Sequence, residues 1–166
     1  MKWKLSLIAL SFCALLYACK KEERQVPVQI VLTDNPAAFD EVNVEITGIR
    51  VKLDKDTTDW IALNTKAGVY NLLALQNGIM DTLATGTAPS GILKEVRFIL
   101  GSKNSVKVNG VVQPLVIPSG SESGLKVKID KRLGETLNSF ILDFDAALSI
   151  KEESDGYKLR PVIRLK

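Results

Sequence analysis

Two aspartates separated by one residue, Asp143 and Asp145, have a residue type and spacing that could support chemistry. Side chains alternate along a β-strand, so both carboxylates are expected on one face, roughly 7 Å apart. With further oxygen ligands, among which Asp34 is a candidate, such a pair could bind Ca²⁺. In a cleft that buried one carboxyl group, the pair could instead act as the acid and base of a glycosidase. The preferred interpretation is structural: Lys126, on a neighbouring strand, lies opposite Asp143 in a salt-bridged ladder.

A loop of small and polar residues at 118–124 is a second candidate site. Its hydroxyl and carboxylate groups, together with a lysine that follows the loop, could bind an anion or hydrogen-bond to a sugar; these residues are Ser119, Ser121, Glu122, Ser123 and Lys126. The same residue types also form compact turns, which is the preferred interpretation. The glycines of the loop do not follow a strand-to-helix phosphate motif, so nucleotide binding is not indicated.

Two aromatic residues, Trp60 and Tyr70, could stack on a carbohydrate ring. Their rings combine a large apolar face with a polar edge, which suits both burial and ligand contact. An isolated tryptophan in an alternating strand is more often part of the core. Burial is therefore the preferred interpretation for Trp60.

Residue types that are missing from the sequence narrow the chemistry further. There is no histidine, and the two cysteines, Cys13 and Cys19, lie in the N-terminal segment. Histidine-dependent triads, cysteine nucleophiles and His/Cys zinc sites are therefore excluded. Carboxylate chemistry, a Ser–Lys pair or a hard cation remains, and calcium is the one cofactor that the residues suggest. With 22 Lys and Arg against 19 Asp and Glu, the chain has no basic excess that would indicate a nucleic-acid partner.

The N-terminal segment is typical of a bacterial lipoprotein signal. Two lysines precede an apolar run at residues 5–16, and Ala18 stands immediately before Cys19. A run of about twelve apolar residues is too short to cross a hydrocarbon core, which needs roughly twenty. We therefore predict that residues 1–18 are a removed signal peptide and that Cys19 is lipidated, so that the mature chain binds a membrane through acyl chains.

A charged tether at residues 19–25 follows this signal. Within it, Lys21-Glu22-Glu23 resembles the export signal that sends lipoproteins of Bacteroidetes to the outer cell surface. The resemblance implies an outer-membrane protein whose domain faces outward. The charged composition of the tether also suits a solvated spacer between membrane and domain.

Strand patterns fill residues 26–166, which we predict to be a single domain. Alternating or β-branched runs occur at 26–33, 41–53, 60–63, 93–100, 105–108, 111–117, 125–129, 140–150 and 157–165. Asn109-Gly110 is a strong hairpin signal, Pro161 marks the last run as an edge strand, and residues 70–76 suggest a short helix. About nine strands with at most one short helix predict an all-β fold, an antiparallel β-sandwich of the immunoglobulin-like or transthyretin-like kind.

Six sequence blocks, taken in chain order, resemble a known protein family. The first combines residues 32–36 and 39–44, Leu-Thr-Asp-Asn-Pro and Phe-Asp-Glu-Val-Asn-Val, and resembles the family's opening LTDAP…YDAVNV signature. The others are Leu72-Leu73-Ala74-Leu75-Gln76-Asn77-Gly78, Pro89-Ser90-Gly91-Ile92 with Arg97, Pro118-Ser119-Gly120 with Ser123-Gly124-Leu125-Lys126, Asp143-Phe144-Asp145-Ala146 with Ser149-Ile150, and Leu159-Arg160-Pro161-Val162-Ile163. On these residues the chain resembles the domain-of-unknown-function 4382 family of secreted and lipid-anchored bacterial proteins. The resemblance implies a β-sandwich at the cell envelope and assigns no activity, so no site residue is carried over.

A lipid-anchored sandwich at the cell envelope leads us to predict a non-catalytic protein, a binding or adhesion module for a glycan or an envelope-protein ligand. The alternative is a structural accessory, such as a fimbria-like subunit or an anchor whose sheet edge accepts a strand from another chain. A carboxylate-dependent hydrolase that uses Asp143 or Asp145 is the third class. An exposed aromatic platform, an unprotected edge strand, or two carboxyl groups in a cleft would distinguish the three.

Overall fold

Two β-sheets enclose one core of mostly branched aliphatic side chains. The computed structural model describes residues 23–54, 59–118 and 124–166. The predicted signal peptide, Cys19 and the loop residues Ser119, Ser121, Glu122 and Ser123 lie outside the described residues. The all-β, sandwich-like fold class that the sequence predicts is confirmed.

The smaller sheet has five strands in the order β14-β11-β1-β6-β4. They are β1 (Gln25–Thr33), β4 (Asn64–Thr65), β6 (Asp81–Pro89), β11 (Asn138–Phe144) and β14 (Ile163–Leu165). Strand β1 lies in the middle, antiparallel to β6 and parallel to β11. The ends of β1 and β11 therefore meet at the same edge of the sheet.

The larger sheet has nine strands, seven of them in the order β10-β7-β2-β8-β9-β13-β12, with β3 and β5 also paired to β2. They are β2 (Glu41–Leu53), β3 (Ile61–Ala62), β5 (Gly68–Asn71), β7 (Ile92–Leu100), β8 (Ser105–Val108), β9 (Val111–Val116), β10 (Leu125–Arg132), β12 (Ile150–Glu153) and β13 (Gly156–Leu159). A 3₁₀ helix (Leu72–Leu75) and a four-residue helix α1 (Ala146–Ser149) connect strands. The ladder between β9 and β13 is parallel, like that between β1 and β11.

Strand β2 shows how the sequence pattern selects the face that each side chain occupies. In its first half the buried residues alternate with more exposed ones; they are Val42, Val44 and Ile46. A register shift opposite β7 between Ile46 and Gly48 then moves the buried positions to Ile49 and Val51. Because successive side chains point to opposite faces, Arg50 and Lys52 are left on the outer face of the sheet.

The hairpin prediction at Asn109-Gly110 is confirmed. Both residues have positive φ, 50° and 80°, and they connect β8 to β9. Such angles are those of a type I′ turn, whose twist matches that of the flanking strands.

Three strand predictions need correction. Strand β6 was not predicted, because Thr, Ala and Gly fill most of Asp81–Pro89 and give little hydrophobic alternation. The predicted strand at 140–150 is broken: β11 ends at Phe144, helix α1 follows, and β12 starts at Ile150. The run at 157–165 is two strands, β13 and β14, and Pro161 lies between them rather than within a strand.

Candidate functional site

The three aspartates that the sequence singles out lie close together at one edge of the smaller sheet. Asp143, near the end of β11, pairs with Thr33, the last residue of β1. Asp34 directly follows Thr33 and therefore lies beside Asp143 at this edge. Asp145 comes next, at the start of α1. All three are buried, with 2%, 5% and 6% of the surface of Asp34, Asp143 and Asp145 exposed.

The carboxylates of Asp34 and Asp145 accept hydrogen bonds from backbone N–H groups. Asp34 Oδ1 accepts a hydrogen bond from Ala146 N at 2.9 Å, and its Oδ2 accepts one from Gln76 Nε2 at 3.4 Å. Asp145 Oδ1 accepts from Leu148 N at 2.9 Å and so caps helix α1. Both carboxylates therefore satisfy amide groups that burial would otherwise leave without a partner.

Asp143 is only partly satisfied. Its Oδ2 accepts a hydrogen bond from Asn35 Nδ2 at 2.5 Å. Its Oδ1 is buried and has no hydrogen-bond partner among the described residues. A buried oxygen without a partner costs free energy, so Asp143 destabilises its surroundings unless another group reaches it.

Burial raises the pKa of Asp34 to about 6. The hydrogen bonds from Ala146 and Gln76 act in the opposite direction, and the nearby negative charge of Asp143 adds to the increase. The cause is the cost of placing a charged carboxylate in a poorly solvated environment. Asp34 therefore takes up a proton in mildly acidic conditions.

The geometry of this acidic cluster serves the fold. Within the described ranges, no three His, Cys, Asp or Glu side chains are arranged to hold a metal ion. The calcium hypothesis for Asp34, Asp143 and Asp145 stays a prediction. A glycosidase would need two carboxyl groups that face a cleft, whereas Asp34 and Asp145 bind backbone amides.

The predicted ladder between Lys126 and Asp143 is wrong. Strand β10, which carries Lys126, belongs to the larger sheet, and β11 belongs to the smaller one. Asp143 is paired with Thr33 and Arg164, while Lys126 is paired with Arg97 on β7. Neighbours in sequence order were assumed to be neighbours in the sheet, which this topology does not follow.

The outer face of the larger sheet carries a row of three cations, Lys126, Arg97 and Arg50, which we call the cation row. They lie directly opposite one another on the adjacent strands β10, β7 and β2. Each cation has a valine next to it in the chain. These valines, Val127, Val96 and Val51, are paired with one another in the same way and are all buried. Because paired residues share a face, the three cationic side chains project outward together, with Cβ atoms about 5 Å apart from strand to strand.

Two contacts hold Arg97 in place. Its Cζ lies 3.9 Å from the centroid of the Trp60 ring, in a cation–π contact. Along the aliphatic part of the side chain, the backbone of Gly124 comes so close that a Cβ there would lie 2.9 Å from Arg97 Cγ. The Nε of Arg97 is buried and has no hydrogen-bond partner among the described residues. The guanidinium is thus fixed in position, and no described residue accepts a hydrogen bond from it.

Among the other cations of this face, Lys128 forms an ion pair with Asp130, with 3.3 Å between Nζ and Oδ2. Arg50, Lys52 and Lys126 form no ion pair with any described residue. In the next row, Glu95 is paired with Lys128 on one side and Lys52 on the other, and it is the one carboxylate in the two rows. The two rows therefore carry five cations and one carboxylate, although the whole chain has a formal charge of only +3.

The remaining predicted site residues, Lys126, Tyr70 and Trp60, lie in three different environments. Lys126 is exposed on β10. Tyr70 packs against the core, and its hydroxyl donates a hydrogen bond to Lys66 O. Trp60 is half-buried beneath Arg97, so it is neither a core residue nor a bare platform.

Sequence reasoning missed Arg50 and Arg97 as site residues. A shared signal was present, because in three segments charged residues flank a valine; these are Arg50-Val51-Lys52, Glu95-Val96-Arg97 and Lys126-Val127-Lys128. The alternation indicates that each segment has one charged face. It does not indicate that the three segments are neighbours.

Comparisons with known proteins bear on the family of the chain. In the part of the chain that the structure describes, no helix is long and apolar enough to span a membrane. Neither the curated proteins nor the solved structures include a match to the chain. The sequence profile described as Domain of unknown function (DUF4382) matches residues 25–161, and the chain therefore belongs to that family.

Proposed function

We propose that the chain is a lipid-anchored protein of the bacterial outer membrane, facing outward, whose sandwich domain is a non-catalytic binding or adhesion module for a glycan or an envelope-protein ligand. The observation that carries this proposal is the outer face of β10, β7 and β2. There a guanidinium is stacked on Trp60 and flanked by two cations that form no ion pair with any described residue.

Two physical arguments connect this face to binding. Like charges directly opposite each other on neighbouring strands destabilise a sheet. The cation row is therefore a cost to the fold that a bound ligand would offset. Arginine and tryptophan, in addition, are the residue types that contribute most to binding free energy at interfaces.

The anchor follows from the sequence. Strand β1 starts at Gln25, so only residues 20–24 separate it from the predicted lipidated Cys19. A tether of that length keeps the sandwich domain near the membrane surface. A binding face on such a domain would meet ligands of the envelope or of the surroundings of the cell.

A structural accessory that works by strand addition has less support. The long edge strand β10 is interrupted by a register shift between Lys128 and Lys131, with Asp130 at a φ of 51°. Bulges and charged side chains are devices that prevent a strand edge from pairing with another chain. The other edge strands among the described residues, β3, β4, β5, β12 and β14, have two to four residues.

The binding proposal is tested with the full-length chain, purified in a neutral detergent and applied to an array of glycans and envelope-protein fractions. We expect one ligand class to be retained and Trp60→Ala to weaken its binding about tenfold, since losses of that size are common at interface tryptophans. Val112→Ala is the matched control, because it removes an exposed apolar side chain elsewhere in the same sheet. An empty array with a folded protein, or equal binding by Trp60→Ala, would contradict the proposal.

The anchor is tested by growing cells with labelled palmitate. Wild-type protein and Cys13→Ala should incorporate the label, whereas Cys19→Ala should not, because only Cys19 is expected to receive acyl chains. Protease added to whole cells should degrade the wild-type domain. Protein that resists protease on whole cells and is degraded only after lysis would contradict the outward orientation.

A further inference from the structure

We infer that the cation row binds an acidic polysaccharide, whose successive carboxylate or sulfate groups contact Lys126, Arg97 and Arg50 in turn. This inference rests on the proposed binding function and adds the class of its ligand. It is carried by the spacing of the row, by the state of the Arg97 guanidinium and by the position of Glu95.

The spacing of the row fits a charged saccharide chain that lies across the strands. Adjacent strands are about 4.8 Å apart, so three cations on neighbouring strands span roughly 10 Å. One sugar residue in an extended polysaccharide advances the chain by a distance close to one strand spacing. A chain running from β10 to β2 would therefore present its acidic groups to the cations at matching intervals.

The guanidinium of Arg97 is preorganised to bind an oxyanion. It is fixed against Trp60, and its Nε is buried with no hydrogen-bond partner among the residues that the structure describes, so the group is partly desolvated. Its two Nη groups are not among the buried unpartnered atoms and donate no hydrogen bond to a described residue. A planar, immobilised guanidinium loses little conformational freedom when it forms charge-assisted hydrogen bonds to a carboxylate or sulfate.

The neighbouring row limits the width of the ligand. Glu95 lies between Lys128 and Lys52 across the ladder, one row away from Arg97. Its carboxylate would repel a second line of negative charge, so the face favours a narrow chain of anions over a broad polyanion. Trp60 lies half-buried beneath Arg97 and contributes by holding the guanidinium that contacts the ligand.

The experiment compares three polymers as ligands of the full-length chain in neutral detergent: polygalacturonate, dextran sulfate and uncharged dextran. We expect binding to one or both acidic polymers, none to dextran, and a loss of affinity with added salt, because exposed charges are screened. Comparing polygalacturonate with dextran sulfate distinguishes carboxylate from sulfate recognition. A single-stranded oligonucleotide serves as a polyanion without acidic sugars.

The affinities of single-site variants test whether the acidic polymers bind at the cation row. Arg50→Gln and Lys126→Gln each remove an exposed cation and should lower the affinity about tenfold, the size expected for one hydrogen bond to a charged group. Lys151→Gln is the matched control, because it removes an exposed cation from β12 at the opposite edge of the same sheet and should leave the affinity unchanged.

The outcomes separate this inference from the proposed function. Binding of neutral glycans that depends on Trp60 but not on Arg50 or salt would overturn the acidic ligand and leave the binding function intact. Equal affinity for the oligonucleotide and the acidic polymers would overturn the saccharide class. Acidic polymers bound equally by wild type and by both cation variants would overturn the assignment to the row. A folded protein that binds none of the array ligands or polymers would overturn both proposals.

Discussion

The carboxylate of Asp34 accepts a hydrogen bond from the backbone N of Ala146 at 2.9 Å, across 112 residues of sequence. The bond ties the end of β1 to helix α1, and therefore to the point where the chain leaves the smaller sheet for β12 in the larger one. Only 2% of the surface of Asp34 is exposed, and burial raises the pKa of its carboxyl group to about 6. We therefore expect the link between the sheets to be sensitive to pH.

The first prediction concerns the pH dependence of stability. The pKa of Asp34 is about 6 in the folded chain and 3.8 without the influence of the fold, so folding favours the protonated form. The resulting contribution to the free energy of unfolding is fully present below about pH 4 and is lost as the pH rises through 6, with a magnitude on the order of 3 kcal/mol. Asp34→Asn keeps an acceptor for Ala146 N without the charge. We expect the melting temperature of wild type minus that of Asp34→Asn to fall between pH 4 and pH 7.

Thermal unfolding at several pH values between 4 and 7 measures this difference. Asp59→Asn removes an exposed carboxylate and is the control for a change of net charge alone. A difference between wild type and Asp34→Asn that stays constant over this range would contradict the assignment of the titration to Asp34.

The second prediction concerns the cap of helix α1. Asp145→Ala removes the acceptor of the Leu148 N–H and should lower the free energy of unfolding by about 1 kcal/mol, the usual cost of losing an N-cap. Asp145→Asn retains a side-chain oxygen and should stay close to wild type. Urea unfolding measures both variants. Equal destabilisation by the two would indicate that the charge of Asp145, rather than its capping bond, is what matters.

The features of the fold that sequence predicts well are those with local causes. The alternation in β2 and the turn at Asn109-Gly110 depend on residues that are adjacent in the chain, and both were predicted. Strand β6 was missed because its place is determined by pairing with β1 along its length, not by its own hydrophobic pattern. The end of β11 was missed because Asp145 acts as a cap only when helix α1 exists, and a single helical turn leaves little pattern in the sequence.

The candidate site divides in the same way. Asp34, Asp143 and Asp145 do lie together at one sheet edge, whereas their use as a metal site stays a prediction. The cation row could not be derived, because it depends on β10 being the neighbour of β7 rather than of β11. Segments far apart in sequence leave no local trace of which of them are paired.

The third prediction tests how closely Gly124 packs on Arg97. Gly124 has a φ of +69°, and an added Cβ would lie 2.7 Å from Phe98 O and 2.9 Å from Arg97 Cγ. Gly110 has a similar φ of +80° with nothing within 4 Å of the added Cβ. Gly110→Ala should therefore cost only the backbone strain, roughly 1–2 kcal/mol, and Gly124→Ala should cost at least about 1 kcal/mol more because of the clash.

Urea unfolding of the two alanine variants gives this comparison. In the Gly124→Ala protein we also expect weaker binding of acidic polymers, since Arg97 must move away from its present position. Equal destabilisation by the two substitutions would contradict a tight contact between Gly124 and Arg97.

The fourth prediction separates stability from binding at Arg50. Arg50 faces Arg97 across the ladder of β2 and β7, so its positive charge is directly opposite another. Arg50→Glu replaces this repulsion by attraction and should raise the free energy of unfolding by roughly 0.5 kcal/mol, with Arg50→Gln intermediate. The same series should bind acidic polymers progressively less well, because the row loses one positive charge and then gains a negative one. Thermal unfolding and polymer binding measured on one set of samples would therefore change in opposite directions. A series in which stability and binding fall together would mean that Arg50 supports the fold, and that the row is not a cost retained for its ligand.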